Sequence, residues 1–374
     1  MSGALEAATE HQPAARMALA AALSGTPSHA YLFTGPRGAG KRRAARAFAA
    51  EIIAPGCPEP GEARRRLARD PSPHPDLTWL APRGTRHLVE EVRERVIRSA
   101  ALRPYEGSRR VFVIEAAEAL GEDSQNSLLK TLEEPPPFVH LILLSAEPEG
   151  VLETIASRCQ RVEFSPLPAS VVASGLEGVG EPERIEAAAR LAGGDPERAR
   201  FLLSSEGSAL RERAESFAAA ALGESAGPGK GGETPWGLLL EPAAEAGERA
   251  EAEARVALER EAEEGARRSV REAGEEARRA GRRRRTEVLD LGLELCAGWF
   301  RDLVAVASGA EAAVFNTDRM EALRRQAART DPARTAGALE LIADTRRRLD
   351  LNVSEELALE ALGLRLEALL AAPA

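Results

Sequence analysis

The sequence predicts an α/β domain with a parallel sheet, followed by a small helical domain and an all-helical C-terminal domain. Three observations predict it. Short apolar runs alternate with helix-spaced segments over the first 165 residues. A glycine-rich stretch, GPRGAGK, joins the first apolar run to the first of those helices. Beyond Pro166 and Pro168 the periodic segments are all helical.

Taken in order, Ala30 to Thr34 (AYLFT) reads as a buried strand and Gly38 to Ile53 as the helix after it. Leu77 to Leu80 is a second short strand, and Leu88 to Leu102 has helical spacing. Arg110 to Glu115 (RVFVIE) is the third strand. Ser124 to Glu133 is a helix closed by Pro135, Pro136 and Pro137, which cannot continue it. Val139 to Ser145 (VHLILLS) and Arg161 to Phe164 supply the fourth and fifth strands. The first domain therefore spans 1–165. Residues 166–222 form a small helical domain, in which Gly193 and Gly194 break one helix and Pro196 opens the next. Residues 223–235 are rich in Gly, Pro and Ser and read as a linker. Residues 241–286 are a charged Ala/Glu/Arg segment ending in Arg282 to Arg285. It reads either as an exposed helix laced with i,i+4 pairs or as a nucleic-acid-binding arm. From Val288 on, Leu291, Leu295, Trp299 and Leu303 make an apolar stripe, and Leu357 to Leu370 is a terminal helix. The final domain is 287–374.

GPRGAGK has the spacing of a P-loop and the strand–loop–helix setting that a P-loop requires. Gly35, Gly38 and Gly40 would let backbone N–H groups approach phosphates, and Lys41 would add a point charge. The following position is Arg42, where a working P-loop places a Ser or Thr hydroxyl on Mg²⁺. The third strand ends in Glu115-Ala116: a carboxylate stands where the first acid belongs, and alanine where a water-activating glutamate is expected. Losing a general base costs about 10² to 10⁴ in rate. Two separate parts of the hydrolytic machinery are thus replaced. The motif reads as a degenerate P-loop kept as scaffold; whether ATP still binds is left open, and no cofactor is required.

Four segments in order, SHAYLFTGPRGAGK, HPDL (His74 to Leu77), SQNSLLKTLEEPP (Ser124 to Pro136) and TIASRCQ (Thr154 to Gln160), resemble the clamp-loader subunits of bacterial DNA polymerase III, which are AAA+ proteins. The resemblance covers residues 11 to 204 strongly and 288 to 370 moderately; residues 205 to 287 match nothing in it. In this family SRC carries an arginine finger, so the resemblance implies that Arg158 acts in trans, on ATP held by a neighbouring subunit. Two family types compete. The ATP-hydrolysing gamma/tau type is similar in carrying GKT or GKS, an acidic DE pair and a four-cysteine zinc module. Arg42, Glu115-Ala116 and the lone Cys57 depart from all three, and Glu197 stands where gamma/tau has a sensor arginine. HPDL, WFRDLVAVASG (Trp299 to Gly309) and NVSEELALEAL (Asn352 to Leu362) look like the delta-prime type. The resemblance then implies a largely non-hydrolysing stator, whose helical C-terminal domain, 287–374, would be an oligomerisation (collar) domain that packs in a ring of clamp-loader subunits. Its partners would be the gamma/tau and delta subunits and, through the complex, the sliding clamp and primed DNA. The alternatives are an active gamma/tau-type ATPase and a standalone P-loop nucleotide-binding protein.

Composition is compatible with this. The chain has 374 residues, 44% of them hydrophobic, enough for two or three domains. A net charge of −9 argues that any DNA contact is local. Cys57, Cys159 and Cys296 lie far apart, which argues against a disulfide framework or a four-cysteine zinc site and suits a reducing cytoplasm. No zinc or other metal site is expected. The N-terminal stretch, with Glu6, Glu10 and His11, lacks the layout of a signal peptide, and no apolar run approaches the roughly 20 residues of a membrane span. His29, His74 and His140 form no catalytic spacing and read as structural.

Overall fold

The computed structural model describes residues 3–82, 87–224, 234–263, 270–349, 351 and 353–370. Most of the predicted linker, residues 225–233, and Asn352 of the NVSEELALEAL segment lie outside the described residues. The chain divides into two compact units, Met1–Leu167 and Pro168–Ala374.

The first unit is built on five parallel strands: β1 (Ala30–Thr34), β2 (Leu77–Leu80), β3 (Arg110–Ile114), β4 (Val139–Ser145) and β5 (Gln160–Glu163). Their spatial order is β2-β3-β4-β1-β5. Leu32 sits opposite Leu143 of β4 on one side and Arg161 of β5 on the other. The middle strands β1, β3 and β4 are buried along their whole length, which is why they read as unbroken apolar runs. Their side chains alternate between two layers. Tyr31, Phe33, Val111, Val113 and Ile142 face a core with α1 (Gly3–Ala8), α2 (Pro13–Ser24), α3 (Lys41–Ile53) and α4 (Pro60–Leu67), which contribute Leu5, Leu19, Phe48 and Leu67. Ala30, Leu32, Phe112, Ile114 and Leu141 face the other core with α5 (Val89–Val92, continued as a π turn to Arg98) and α6 (Glu122–Glu133), which contribute Val92, Val96, Leu128 and Leu132.

The chain leaves the carboxyl end of β1, passes β4 and β3, and returns as β2, while β5 joins on the opposite side of β1. That reversal makes the carboxyl end of β1 the topological switch point, where open α/β sheets hold their ligands. The short helix α7 (Glu153–Ala156) precedes β5.

The second unit is helical throughout its described residues: α8 (Ala169–Ser174), α9 (Pro182–Leu191), α10 (Pro196–Leu203), α11 (Ser205–Ala221), α12 (Gly237–Glu263), α13 (Val270–Ala307), α14 (Met320–Ala327), α15 (Pro332–Leu349) and α16 (Glu355–Leu370). Ala188, Leu202, Leu210 and Phe217 of the early helices share one core with Leu289, Cys296, Phe300 and Leu362 of the later ones. The charged segment is two antiparallel helices rather than one. A Cβ added at Gly281 of α13 would lie 2.8 Å from the carbonyl oxygen of Gly247 in α12, so glycine at the crossing lets the two backbones approach closely. Ion pairs at i,i+4 line the hairpin, among them Arg255–Glu251 at 2.9 Å and Arg283–Glu287 at 2.9 Å. Each contributes a few tenths of a kcal/mol at most. Among the described residues no helix is long and apolar enough to cross a membrane.

Candidate functional site

The P-loop sits at the switch point. Gly35, Gly38 and Gly40 adopt φ values of 137°, 74° and 92°, so the predicted helix start at Gly38 moves to Lys41. Left-handed backbone belongs to the loop and not to the helix. Gly35 is doubly constrained: a Cβ there would fall 2.0 Å from the carbonyl oxygen of Phe164. Gln12 ties the loop down from outside. Its Nε2 donates to the carbonyls of Ala39 and Ser165 at 3.0 and 2.7 Å, and its Oε1 accepts the Ser165 N–H at 2.9 Å.

Lys41 opens α3 and is buried. Its ammonium donates to the carbonyl oxygens of Gly35 and, at 2.7 Å, Pro36. Two carbonyl oxygens of the loop thus point at the residue that a phosphate would need to recruit.

Arg42 follows. Its Nε lies 2.9 Å from Glu115 Oε1, and its Nη2 lies 3.5 Å from Asp70 Oδ2. Glu115 also accepts from Trp79 Nε1, so its carboxylate is held from two sides. Arg46 completes the cluster, 2.8 Å from Asp70 and stacked 4.5 Å over the Trp79 ring. His87 Nε2 lies 2.7 Å from the Glu115 carbonyl oxygen, and burial lowers the pKa of this imidazole. Ala116 takes φ 47°, ψ 60°, the one left-handed non-glycine among the described residues, and presents a methyl group beside Glu115.

In a hydrolysing P-loop protein a divalent cation sits between a hydroxyl on the first helix and a carboxylate at the end of the third strand. Here the helix supplies a guanidinium and the strand supplies Glu115, and the two pair directly. The residues do not fit Mg²⁺: the hydroxyl ligand is replaced, and the carboxylate is neutralised by an internal cation.

Arg158 stands just past the end of α7. Its Nη1 donates to the Thr154 carbonyl at 2.8 Å, and its Nη2 lies 2.7 Å from Glu133 Oε1. Its side chain is 37% exposed, so the pair adds little to folding. Glu133 ends α6 just ahead of the proline run, as the sequence predicts, but its bond to Arg158 carried no signal there. Burial pushes the neighbouring Cys159 thiol up to about 12, which leaves it protonated and unreactive.

HPDL proves to be a loop clamp. Asp76 is fully buried, and its carboxylate accepts the backbone N–H groups of Tyr105, Glu106 and Gly107 at 2.6, 2.9 and 2.9 Å. His74 Nδ1 accepts the Asp76 N–H at 3.2 Å, and its Nε2 lies 3.6 Å from Cys57 Sγ. Among the described residues no three His, Cys, Asp or Glu side chains are grouped to hold a metal ion. His140, in β4, has its Nδ1 2.8 Å from the Ser28 carbonyl oxygen.

Residues 11–168 match the family model described as DNA polymerase III, delta subunit. The chain is 36% identical over 203 residues to DNA polymerase III subunit delta' of Pseudomonas aeruginosa, covering 50% of this chain and 58% of that protein. It is 30% identical over 161 residues to DNA polymerase III subunit tau of Bacillus subtilis, covering 42% of this chain and 28% of that one. The chain therefore spans less than two thirds of either relative. Among solved structures, a gamma subunit-related protein of Thermotoga maritima superposes with a TM-score of 0.46 and 14% identity, over 95% of this chain and 99% of that one.

Proposed function

From an N-terminal domain that belongs to the clamp-loader subunit family of bacterial DNA polymerase III, we infer that this chain is a delta-prime-type stator, a subunit that assembles with ATP-hydrolysing neighbours and does not itself turn over ATP. The observation that carries the reading is the ion pair between Arg42 and Glu115. It sets a fixed cation of the protein where a hydrolysing P-loop needs an exchangeable metal, and Ala116 removes the carboxylate that would activate water. Lys41, engaged with the loop's own carbonyls, supports the same conclusion. What the domain offers instead is Arg158, held on the surface by groups it can release at small cost. In the assembled loader this guanidinium reaches the γ-phosphate of ATP on a gamma/tau-type neighbour, and the complex, with its delta subunit, places the sliding clamp on primed DNA. The tau relative leaves a hydrolysing subunit as the rival reading.

Calorimetry with ADP separates the two. The isolated chain is expected to show no Mg²⁺-dependent binding, while Arg42→Thr, which frees Glu115 and restores a hydroxyl, should gain at least about tenfold in affinity when Mg²⁺ is added, corresponding to about 1.4 kcal/mol. A wild-type chain that already binds ADP more tightly with Mg²⁺ contradicts the stator reading.

A further inference from the structure

Three helices of the second unit and the turn before α14 enclose a cavity of about 280 Å³, room for about nine water volumes. Arg184, Ala188 and Leu191 lie on one face of α9, at spacings of four and three, and Ser208, Arg211 and Glu212 share a face of α11. Leu202 and Leu203 close the cavity from the end of α10, and Arg319 closes it from the turn. Ala188, Leu191 and Leu202 are buried and make an apolar floor. Arg184 and Glu212 are exposed at the mouth.

One wall is fixed. Arg211 is buried, and its guanidinium donates to Asn316 Oδ1 at 2.8 Å and to the two Asp318 oxygens at 2.9 and 2.7 Å. Asn316 is held in turn by the fully buried Asp302, whose Oδ2 accepts its backbone and side-chain N–H groups at 2.8 and 2.7 Å. A wall locked before a ligand arrives spares the ligand the cost of ordering it.

The other cations are underused. Arg319 lies 3.4 Å from Glu215 and 4.0 Å from Glu212, both loose pairs. Arg184 faces no carboxylate among the described residues, and of its guanidinium N–H donors one is engaged there, by Ser208 Oγ at 2.6 Å. Over an apolar floor, the cavity therefore offers spare donors and a guanidinium whose charge no described residue answers.

We propose that this cavity binds a small organic carboxylate, its two oxygens forked on Arg184 and its apolar body resting on Ala188, Leu191 and Leu202. One unanswered cation matches one negative charge, whereas a phosphate monoester brings about two. The proposal concerns the second unit alone and does not depend on how the P-loop or Arg158 is read.

The test titrates the full chain with benzoate, its neutral isostere benzamide and phenyl phosphate, with binding read by ligand-observed NMR. Benzoate is expected to bind at least about tenfold more tightly than benzamide, and no less tightly than phenyl phosphate. Arg184→Gln removes the unanswered charge at an exposed position and should erase the preference for benzoate over benzamide. Ser208→Leu fills the cavity and should abolish binding of both. An unchanged melting curve verifies the fold of each variant, and the glutamine variant decides the matter alone if the leucine variant does not fold. Equal binding of benzoate and benzamide to the wild-type chain overturns the proposal, as does a preference that survives Arg184→Gln. Tighter binding of phenyl phosphate, or no binding of benzoate, overturns it as well.

Discussion

Replacing Arg158 by alanine is expected to leave the chain folded and able to assemble, yet to cut ATP turnover in a reconstituted loader. The folding side follows from exposure. Among the described residues Arg158 bonds its own helix end at Thr154 and the surface carboxylate of Glu133, and exposed pairs of this kind contribute ~0–1 kcal/mol. The catalytic side follows from charge. A guanidinium brought against a transferring γ-phosphate stabilises the charge that builds there, an effect worth about 10³ to 10⁵ in rate at its site. Only the site that receives this arginine loses it, so total ATPase should fall in part while clamp loading falls further. Arg158→Lys keeps the charge but not the planar fork and should rescue little. Both rates are read in the same reconstituted complex, and wild-type values for both would make Arg158 an ordinary surface residue.

Asp76→Ala is expected to destabilise the first unit strongly. The carboxylate is fully buried and satisfies three consecutive backbone N–H groups, those of Tyr105, Glu106 and Gly107. Hydrogen bonds to a charged group contribute about 1.5 to 3 kcal/mol each, and the alanine variant takes the acceptor from three part-buried donors at once. A loss of about 4 kcal/mol is a conservative sum, and for a domain of this size that lowers the melting temperature by roughly 8 to 16 °C. Asp76→Asn keeps the shape and one acceptor oxygen, so its loss should be smaller. Urea unfolding of the three proteins checks the order; an Asp76→Ala chain as stable as wild type would remove the clamp from the account.

What could be read in the sequence, and what could not, divides along physical lines. The middle strands were legible because they are buried on both faces: AYLFT and VHLILLS carry no polar alternation to confuse them with anything but core. The helix after β1 was read three residues early because glycine spacing shows where a P-loop is, not where its backbone turns right-handed, and Gly38 and Gly40 are left-handed here. The helices α2 and α4 gave little signal, one being alanine-rich with a narrow apolar face and the other mostly arginine on its outer side. The hairpin of α12 and α13 was hidden for a related reason. Gly247 and Gly281 look like helix weakeners in a charged segment, and only the close crossing of the two backbones explains them.

At the candidate site the sequence displayed the substitutions but not the contact. Arg42 and Glu115 are each legible as departures from a working motif, and their opposite charges hint at a pair. That they meet at 2.9 Å depends on the parallel register that sets the ends of β1 and β3 on one edge of the sheet. Gln12 had no signal at all, since its side chain's three hydrogen bonds are to backbone groups of distant segments. HPDL was recognisable as a motif, but its work as a three-donor clamp on residues 105–107 is a tertiary fact.

On the stator reading, the catalytic contribution of this chain goes to a neighbour's site and none is made at its own. The most direct measurement is the steady-state ATPase of a loader reconstituted with Lys41→Ala in this subunit, set against the wild-type complex. Lys41 is the one side chain that a phosphate bound in this P-loop would require, and in the structure it holds the loop's own carbonyls. Turnover equal to wild type per assembled complex is expected. A fall in turnover with assembly intact would place ATP use in this chain's own P-loop and overturn the stator reading.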